Sequence, residues 1–285
     1  MIAQNFEYAA PANLQEALGL LAGKDVKVLA GGMSLIPLMK LRLAMPGQLV
    51  DIGRIPDLNY IREDKGVLRI GATTTHYQIE SSAAVRSSCP LLAEAASYIG
   101  DIQVRNMGTI GGSIAHADPA ADYPASLLAL EARVALVTAK GQREVPIADF
   151  FVDTFTTALE PGEIVREVIV PVEEQSAGTS YQKVLQPASG FAIVGIAARV
   201  RKSGGKVTMA RVGVTGMSGK PYRATSVEKA LEGTSGSALD VQKAAASVAD
   251  GVDANSDLHA SADYRKHLAR VYTMRALTVA LSRTA

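Results

Sequence analysis

The chain has 285 residues, 48% of them apolar and 20% charged, the balance of a soluble globular protein with enough length for one large domain or two ordinary ones. Lys and Arg together number 29 against 28 Asp and Glu, which leaves no basic footprint for a phosphate backbone and excludes a nucleic-acid partner. One cysteine, Cys89, and four scattered histidines, His76, His116, His259 and His267, lack the CxxC or HxxxH spacing that gathers a metal, so no metal site is expected within this chain.

The opening "FEYAAPANLQEALGLLAG" predicts a short extended segment and then a helix with Leu14, Ala17, Leu18 and Leu21 on one face, started near Asn13 and ended by Gly23. No basic leader precedes it, and no apolar run reaches membrane-spanning length, which reads as a cytoplasmic protein without a transmembrane segment. "VKVLAGG" predicts a strand running into paired glycines, and "MSLIPLMKLRLAMP" a short helix capped near Ser34 with Pro37 in its first turn. "QLVDI" and "VLRIGATTT" follow as strands. "SCPLLAEAASYIG" places Leu91, Leu92, Ala95, Ala96 and Ile99 at helical spacing and leads through "DIQVRNM" to a second glycine turn, "GTIGGS".

Beyond it a helix, a strand, a turn and the strand "EIVREVIVPV" are expected. The small polar segment "EEQSAGTS" then marks a boundary, giving domains 1–175 and 176–285. The second domain reads as an antiparallel meander of "SYQKVLQ", "FAIVGIAARVRK" and "KVTMARVGVTG", followed by helices at "SVEKALEG" and at the C-terminus. In the last of these Leu268, Val271, Tyr272, Met274, Leu277 and Leu281 make the apolar stripe, and the helices cover one face of the sheet. The fold class is α+β.

Two glycine-bounded element ends, "AGGMS" at 30–34 and "GTIGGS" at 108–113, expose main-chain N–H groups and let a ligand approach unobstructed by Cβ atoms, the properties of an anion nest. Either alone reads first as a tight turn; two together favour a diphosphate. Neither is a GxGxxG fingerprint or a P-loop.

"LAGGMSLIPLMKLRLAMP" together with "IQVRNMGTIGGSIAHADPAADYPA" resembles the FAD-binding medium subunit of the xanthine oxidase and aerobic carbon monoxide dehydrogenase family of molybdenum hydroxylases. "FEYAAP", "GFAIVGIAARV" and "YRKHLARVYTMRAL" extend the resemblance over the whole chain. It implies a two-lobed FAD-binding domain of mixed sheets and helices and a smaller domain with an antiparallel sheet on helices. Gly31, Gly32, Met33 and Ser34, flanked by Ala30 and Leu35, would hold one side of the FAD diphosphate; Thr109, Gly111, Gly112 and Ser113 the other. Ser113 stands where the family commonly has Asn, which removes a side-chain amide.

Asp122, Ile164, Val165, Lys183 and Phe191 match cofactor-contacting positions of relatives. As plain residues they read as an N-cap, two core aliphatics, a solvated strand lysine and a core aromatic. Gln103 and Arg105 belong to the same signature and would order the loop beside the flavin ring, Arg105 otherwise being a surface ion-pair residue. Met39, Met45 and Met107 read as gap fillers, and His76 and His116 as solvated loop residues unless the cofactor reaches them. No catalytic side chain is assigned. The resemblance implies an electron-transfer subunit in a heteromeric complex whose substrate pocket would lie in another polypeptide. Its partners would be a small subunit with [2Fe–2S] clusters and a large subunit with a molybdenum pterin cofactor, in a dimer of heterotrimers serving an external electron acceptor. A scaffold subunit without flavin is the alternative.

Overall fold

A computed structural model describes residues 2–173 and 176–284. The boundary expected at 175/176 falls on Glu174 and Gln175, outside the described residues. The first lobe is a three-stranded parallel sheet built from β1 (Glu7–Ala9), β2 (Val26–Leu29) and β3 (Gln48–Asp51) in the order β1-β3-β2. Parallel neighbours need crossovers, supplied here by α1 (Leu14–Leu20) and α2 (Leu35–Lys40). Asn13 caps α1 by accepting from Glu16 N–H, as its side-chain chemistry predicts. Ser34 stands at the N-cap of α2, but its side chain makes no capping bond, so its hydroxyl remains available.

The second lobe is a five-stranded antiparallel sheet of order β4-β5-β10-β6-β7. Its strands are β4 (Ile61–Asp64), β5 (Val67–Gly71), β6 (Arg133–Thr138), β7 (Gly141–Pro146) and β10 (Ile164–Pro171). Between β5 and β6 the chain inserts six helices: α3 (His76–Ser81), α4 (Ala83–Ser88), α5 (Pro90–Ser97), α6 (Ile102–Met107), α7 (Ile110–His116) and α8 (Asp122–Ala129). The "GTIGGS" stretch is therefore not a turn but the N-cap and first turn of α7, with Thr109 as the cap. Between β7 and β10 lie α9 (Ile147–Phe150) and a hairpin of β8 (Phe151–Asp153) and β9 (Thr156–Thr157). The two lobes share a core in which Val50, Ile52 and Ile55 meet Val137 and Ile164.

The C-terminal sheet is antiparallel, β11 (Ala177–Leu185), β12 (Ala192–Ser203), β13 (Lys206–Thr215) and β14 (Tyr222–Arg223) in sequence order. Gly204 and Gly205, both at positive φ, make the tight β12–β13 turn foreseen from the sequence. Three helices follow, α10 (Thr225–Leu231), α11 (Ala238–Ala245) and α12 (Ala262–Ser282), of which α11 was not expected. The domain's own helices lie on one face of the sheet, as expected, and a helix of the first domain covers the other. α12 lies on β11 and β12, while α8 of the first domain packs on β12 and β13 from the other side. Close approach explains the buried face of α12: Ala269, Thr273, Ala276 and Ala280 sit fully inside, and Val271, Tyr272, Met274 and Leu281 of the expected stripe are half-buried.

Candidate functional site

The end of β2 delivers the first glycine stretch to the carboxyl edge of the parallel sheet, the usual ligand side of such sheets. Among the described residues no protein acceptor meets the main-chain N–H of Gly31, Gly32, Met33, Ser34 or Leu35. Gly32 adopts φ +74°, which L side chains resist, so the run of free donors depends on glycine there. A Cβ on Gly31 would fall 2.0 Å from Met107 O and 2.8 Å from Gly108 Cα. The two glycine stretches therefore meet backbone to backbone.

The second stretch is differently occupied. Gly111 N–H donates to Ala72 O (2.9 Å), Gly112 N–H to Thr109 Oγ1 (3.1 Å) and Ser113 N–H to Thr109 O (2.9 Å), leaving Thr109 N–H without a protein acceptor among the described residues. Gly111 is needed for packing, since a Cβ there would lie 2.5 Å from Ala72 Cβ. Gly112 is exposed, and only Thr109 Oγ1 crowds its missing Cβ. Ala72 in turn donates to Arg166 O, which ties the start of β10 to α7. Ile164 and Val165 are buried there, Ile164 in the inter-lobe core and Val165 among the residues packed against α5, α7 and α8.

Asp122 and Lys183 pair with each other. Lys183 Nζ lies 2.8 Å from the Asp122 carboxylate and donates to Tyr98 O at 2.9 Å, and the Tyr181 hydroxyl donates to Asp122 Oδ1 at 2.6 Å. Asp122 is the first residue of α8, whose N-cap is Ala121, so its carboxylate reaches across to β11 instead of capping. Lys183 is buried rather than solvated because this anion accompanies it into the interface. Burial pushes the Asp122 carboxyl up to about 6, against the downward pull of Lys183 and Tyr181. Tyr181 was missed from sequence, although strand alternation puts it on the same face as Lys183.

Phe191 is 39% exposed, a surface aromatic and not a core one, because it precedes β12 in a loop closed by Gln186 N–H to Phe191 O. Met45 and Met107 are likewise exposed; only Met39 fills a core gap. Arg105 is half-buried and both pairs and orders: Nε meets Glu80 Oε2 at 2.8 Å, and Nη1 meets Ile99 O and Gly100 O at 3.1 Å. Gln103 is exposed on α6. His116 is half-buried against Phe155, and burial lowers its pKa. His76 is buried, not solvated, with Nδ1 3.2 Å from the Tyr123 hydroxyl; burial, with the Arg105 charge second, pushes it down to about 4. A groove of about 560 Å³ lies elsewhere, lined by α1, Tyr60, Arg62 and Arg166, and includes neither glycine stretch.

The model of the FAD binding domain in molybdopterin dehydrogenase matches residues 4–173, and that of the CO dehydrogenase flavoprotein C-terminal domain matches residues 179–280. The chain belongs to the family of FAD-binding medium subunits of molybdopterin dehydrogenases. It is 42% identical to the carbon monoxide dehydrogenase medium chain of Hydrogenophaga pseudoflava, with 100% of each chain covered. It is 40% identical to the glyceraldehyde dehydrogenase medium chain of Sulfolobus acidocaldarius, over 97% of this chain and 98% of that one. The solved carbon monoxide dehydrogenase from Hydrogenophaga pseudoflava contains a chain that superposes with a TM-score of 0.97 at 43% identity, all of both chains covered. Quinoline 2-oxidoreductase from Pseudomonas putida 86 does so at 0.95 and 31%, again over both chains entirely.

The family's cofactor fits the donors present. FAD carries a diphosphate, and the first stretch offers a run of uncommitted N–H groups and the Ser34 hydroxyl; Gly31 lets the two stretches meet closely, and the exposed Gly112 keeps a side chain out of the way. The chain is thus a flavoprotein subunit of a heteromeric oxidoreductase, with the α+β architecture of its relatives. No helix among the described residues is long and apolar enough to cross a membrane.

Proposed function

We propose that FAD is held by Ala30, Gly31, Gly32, Met33, Ser34 and Leu35 on one side and by Thr109, Gly111, Gly112 and Ser113 on the other. The contact between Gly31 and the Met107–Gly108 backbone, beside an uncommitted run of N–H donors, carries this reading. The first stretch and Thr109 contribute the free amides. Gly111 acts by letting α7 approach β5, and Gly112 by leaving space. Asp122, Lys183 and Phe191 complete the site from the domain interface, where the Asp122–Lys183 pair fixes β11 against α8. Ile164 and Val165 support it from the core.

Bound FAD supplies a redox centre that takes up electrons singly and releases one or two. The chain's own contribution is to grip and orient the cofactor with neutral dipoles; no side chain is assigned acid, base or nucleophile chemistry. The electrons would come from [2Fe–2S] clusters in a small subunit, supplied by a molybdenum pterin centre in a large subunit, and leave to an external acceptor. A dimer of heterotrimers, a cytoplasmic location and a domain division near residue 175 belong to the same reading. The substrate is chosen elsewhere: relatives 42%, 40% and 34% identical carry names that invoke carbon monoxide, glyceraldehyde and nicotine, three dissimilar molecules.

The test is reconstitution. The full chain, stripped of flavin, is titrated with FAD and separately with FMN. Tight binding of FAD with a protein-bound flavin spectrum is expected, and a folded chain that refuses FAD would overturn the reading.

A further inference from the structure

We propose that His76 is a positioning residue for the flavin site: its buried imidazole is the spacer that sets how closely the second glycine stretch sits on the first. The proposal rests on the reading that those stretches hold FAD. His76 opens α3, where its backbone N–H donates to Gly108 O at 2.9 Å. One edge of its ring faces Tyr123, a fully buried residue of α8, with Nδ1 3.2 Å from the hydroxyl and the rings edge to face at 5.2 Å. The opposite edge presses on Gly108. A Cβ there would lie 2.6 Å from Nε2 and 2.8 Å from Cδ2 of the imidazole.

Gly108 has φ −62° and ψ 142°, an ordinary conformation for any L residue, so backbone geometry does not demand glycine. The ring behind it does, being the nearest obstacle; Val104 O, 3.1 Å from the same Cβ, is a lesser one that yields by a few tenths of an ångström. In front of Gly108 stands Gly31, whose own Cβ would lie 2.8 Å from Gly108 Cα. Tyr123, the imidazole, Gly108 and Gly31 thus form one stack, with nothing larger than hydrogen on its last two members. Shrinking the ring lets Gly108 recede toward α8 and parts the two stretches. Burial keeps the imidazole uncharged at neutral pH, so it serves as a spacer and not as a counter-ion for phosphate.

The test uses the full chain, flavin removed, titrated with FAD by flavin fluorescence while the melting temperature of the flavin-free protein is followed. His76→Ala raises the FAD Kd at least about tenfold, the worth of one charge-assisted hydrogen bond, while cooperative melting persists. Gly108→Ala weakens binding comparably, because its methyl strikes the ring. In the double variant His76→Ala/Gly108→Ala the methyl enters the vacated space, and the Kd returns to within about threefold of wild type, a strong non-additivity. His76→Ala binding FAD within about twofold of wild type, or a double variant whose losses simply add, would overturn the proposal.

Should His76→Ala fail to fold, Tyr123→Phe decides. It keeps both ring volumes but frees the far edge of the imidazole, and a Kd raised about threefold is expected where an unchanged one would overturn the spacer role. Wild-type protein that does not bind FAD would sink the flavin reading itself, a result separable from all of these.

Discussion

Asp122 and Lys183 show what a single residue costs when moved out of water. The Lys183 side chain is wholly buried and that of Asp122 nearly so, which is tolerable because each satisfies the other and the remaining bonds go to Tyr98 O and Tyr181. Asp122→Asn keeps the shape and removes the anion, leaving an ammonium stranded at the interface. We expect a loss of about 3–5 kcal/mol in denaturant unfolding, the usual penalty for breaking such a pair from one side. His76 makes a second prediction, of pH dependence. It titrates near 6.5 when unfolded and near 4 in the fold, so between these values the unfolded chain holds the extra proton and stability falls as pH drops. At 1.36 kcal/mol per pH unit the full window is worth about 3 kcal/mol. Asp122 acts in the opposite sense, since its raised folded pKa costs stability as pH rises from about 4 to about 6. The two slopes partly cancel in the wild type. The measurement is therefore the difference between wild type and His76→Phe from pH 7 to pH 5, which must shrink with falling pH if His76 is held neutral.

At the scale of elements, the glycines of α7 and of the β2–α2 junction do different work and answer differently to substitution. Gly111→Ala drives a methyl to 2.5 Å from Ala72 Cβ and 2.7 Å from Ala72 O, where part of the obstacle is backbone. A stability loss of about 1–3 kcal/mol is expected, with flavin lost through displacement of α7. Ser34→Ala touches a hydroxyl without a protein partner and should leave the melting temperature unchanged while weakening FAD binding about tenfold. Paired thermal melts and FAD titrations separate the two behaviours. Much of this was legible in the chain: the strand–glycine–helix order around Gly31 and Gly32, the cap at Asn13, and the β12–β13 hairpin at Gly204 and Gly205. The helical start at Thr109 was not, because Gly111 and Gly112 are poor helix formers, and the tertiary bonds from Ile110 N–H to Thr74 O and from Gly111 N–H to Ala72 O compensate. Nor were the roles of Asp122, Lys183 and His76, since burial of a polar residue depends on partners 61 and 47 positions away. α11 escaped, although Ser237 and Asp240 form its capping box, because the run behind them is only weakly apolar.

For the whole molecule, the decisive feature is that the C-terminal sheet has no free face. α12 approaches so closely that a Cβ on Gly178 would lie 1.9 Å from Ala280 O, and α8 approaches from the other side so closely that a Cβ on Gly213 would lie 1.9 Å from Ala125 O. Tyr181 and Ala197 of the second domain lie in the same core as Leu127 and Leu128 of the first. A helix lent by one domain to cover the sheet of the other makes their stabilities inseparable, because cutting them apart exposes both apolar surfaces at once. The full chain should therefore unfold in a single calorimetric transition, and fragments 1–175 and 176–285 made separately should bind a hydrophobic dye and melt without cooperativity. Mixing the fragments should restore a cooperative melt. If fragment 1–175 alone melts cooperatively and takes up FAD as tightly as the full chain, the sheet merely leans on α8. In that event Lys183 and Phe191, both contributed by the second domain, have no part in holding the flavin.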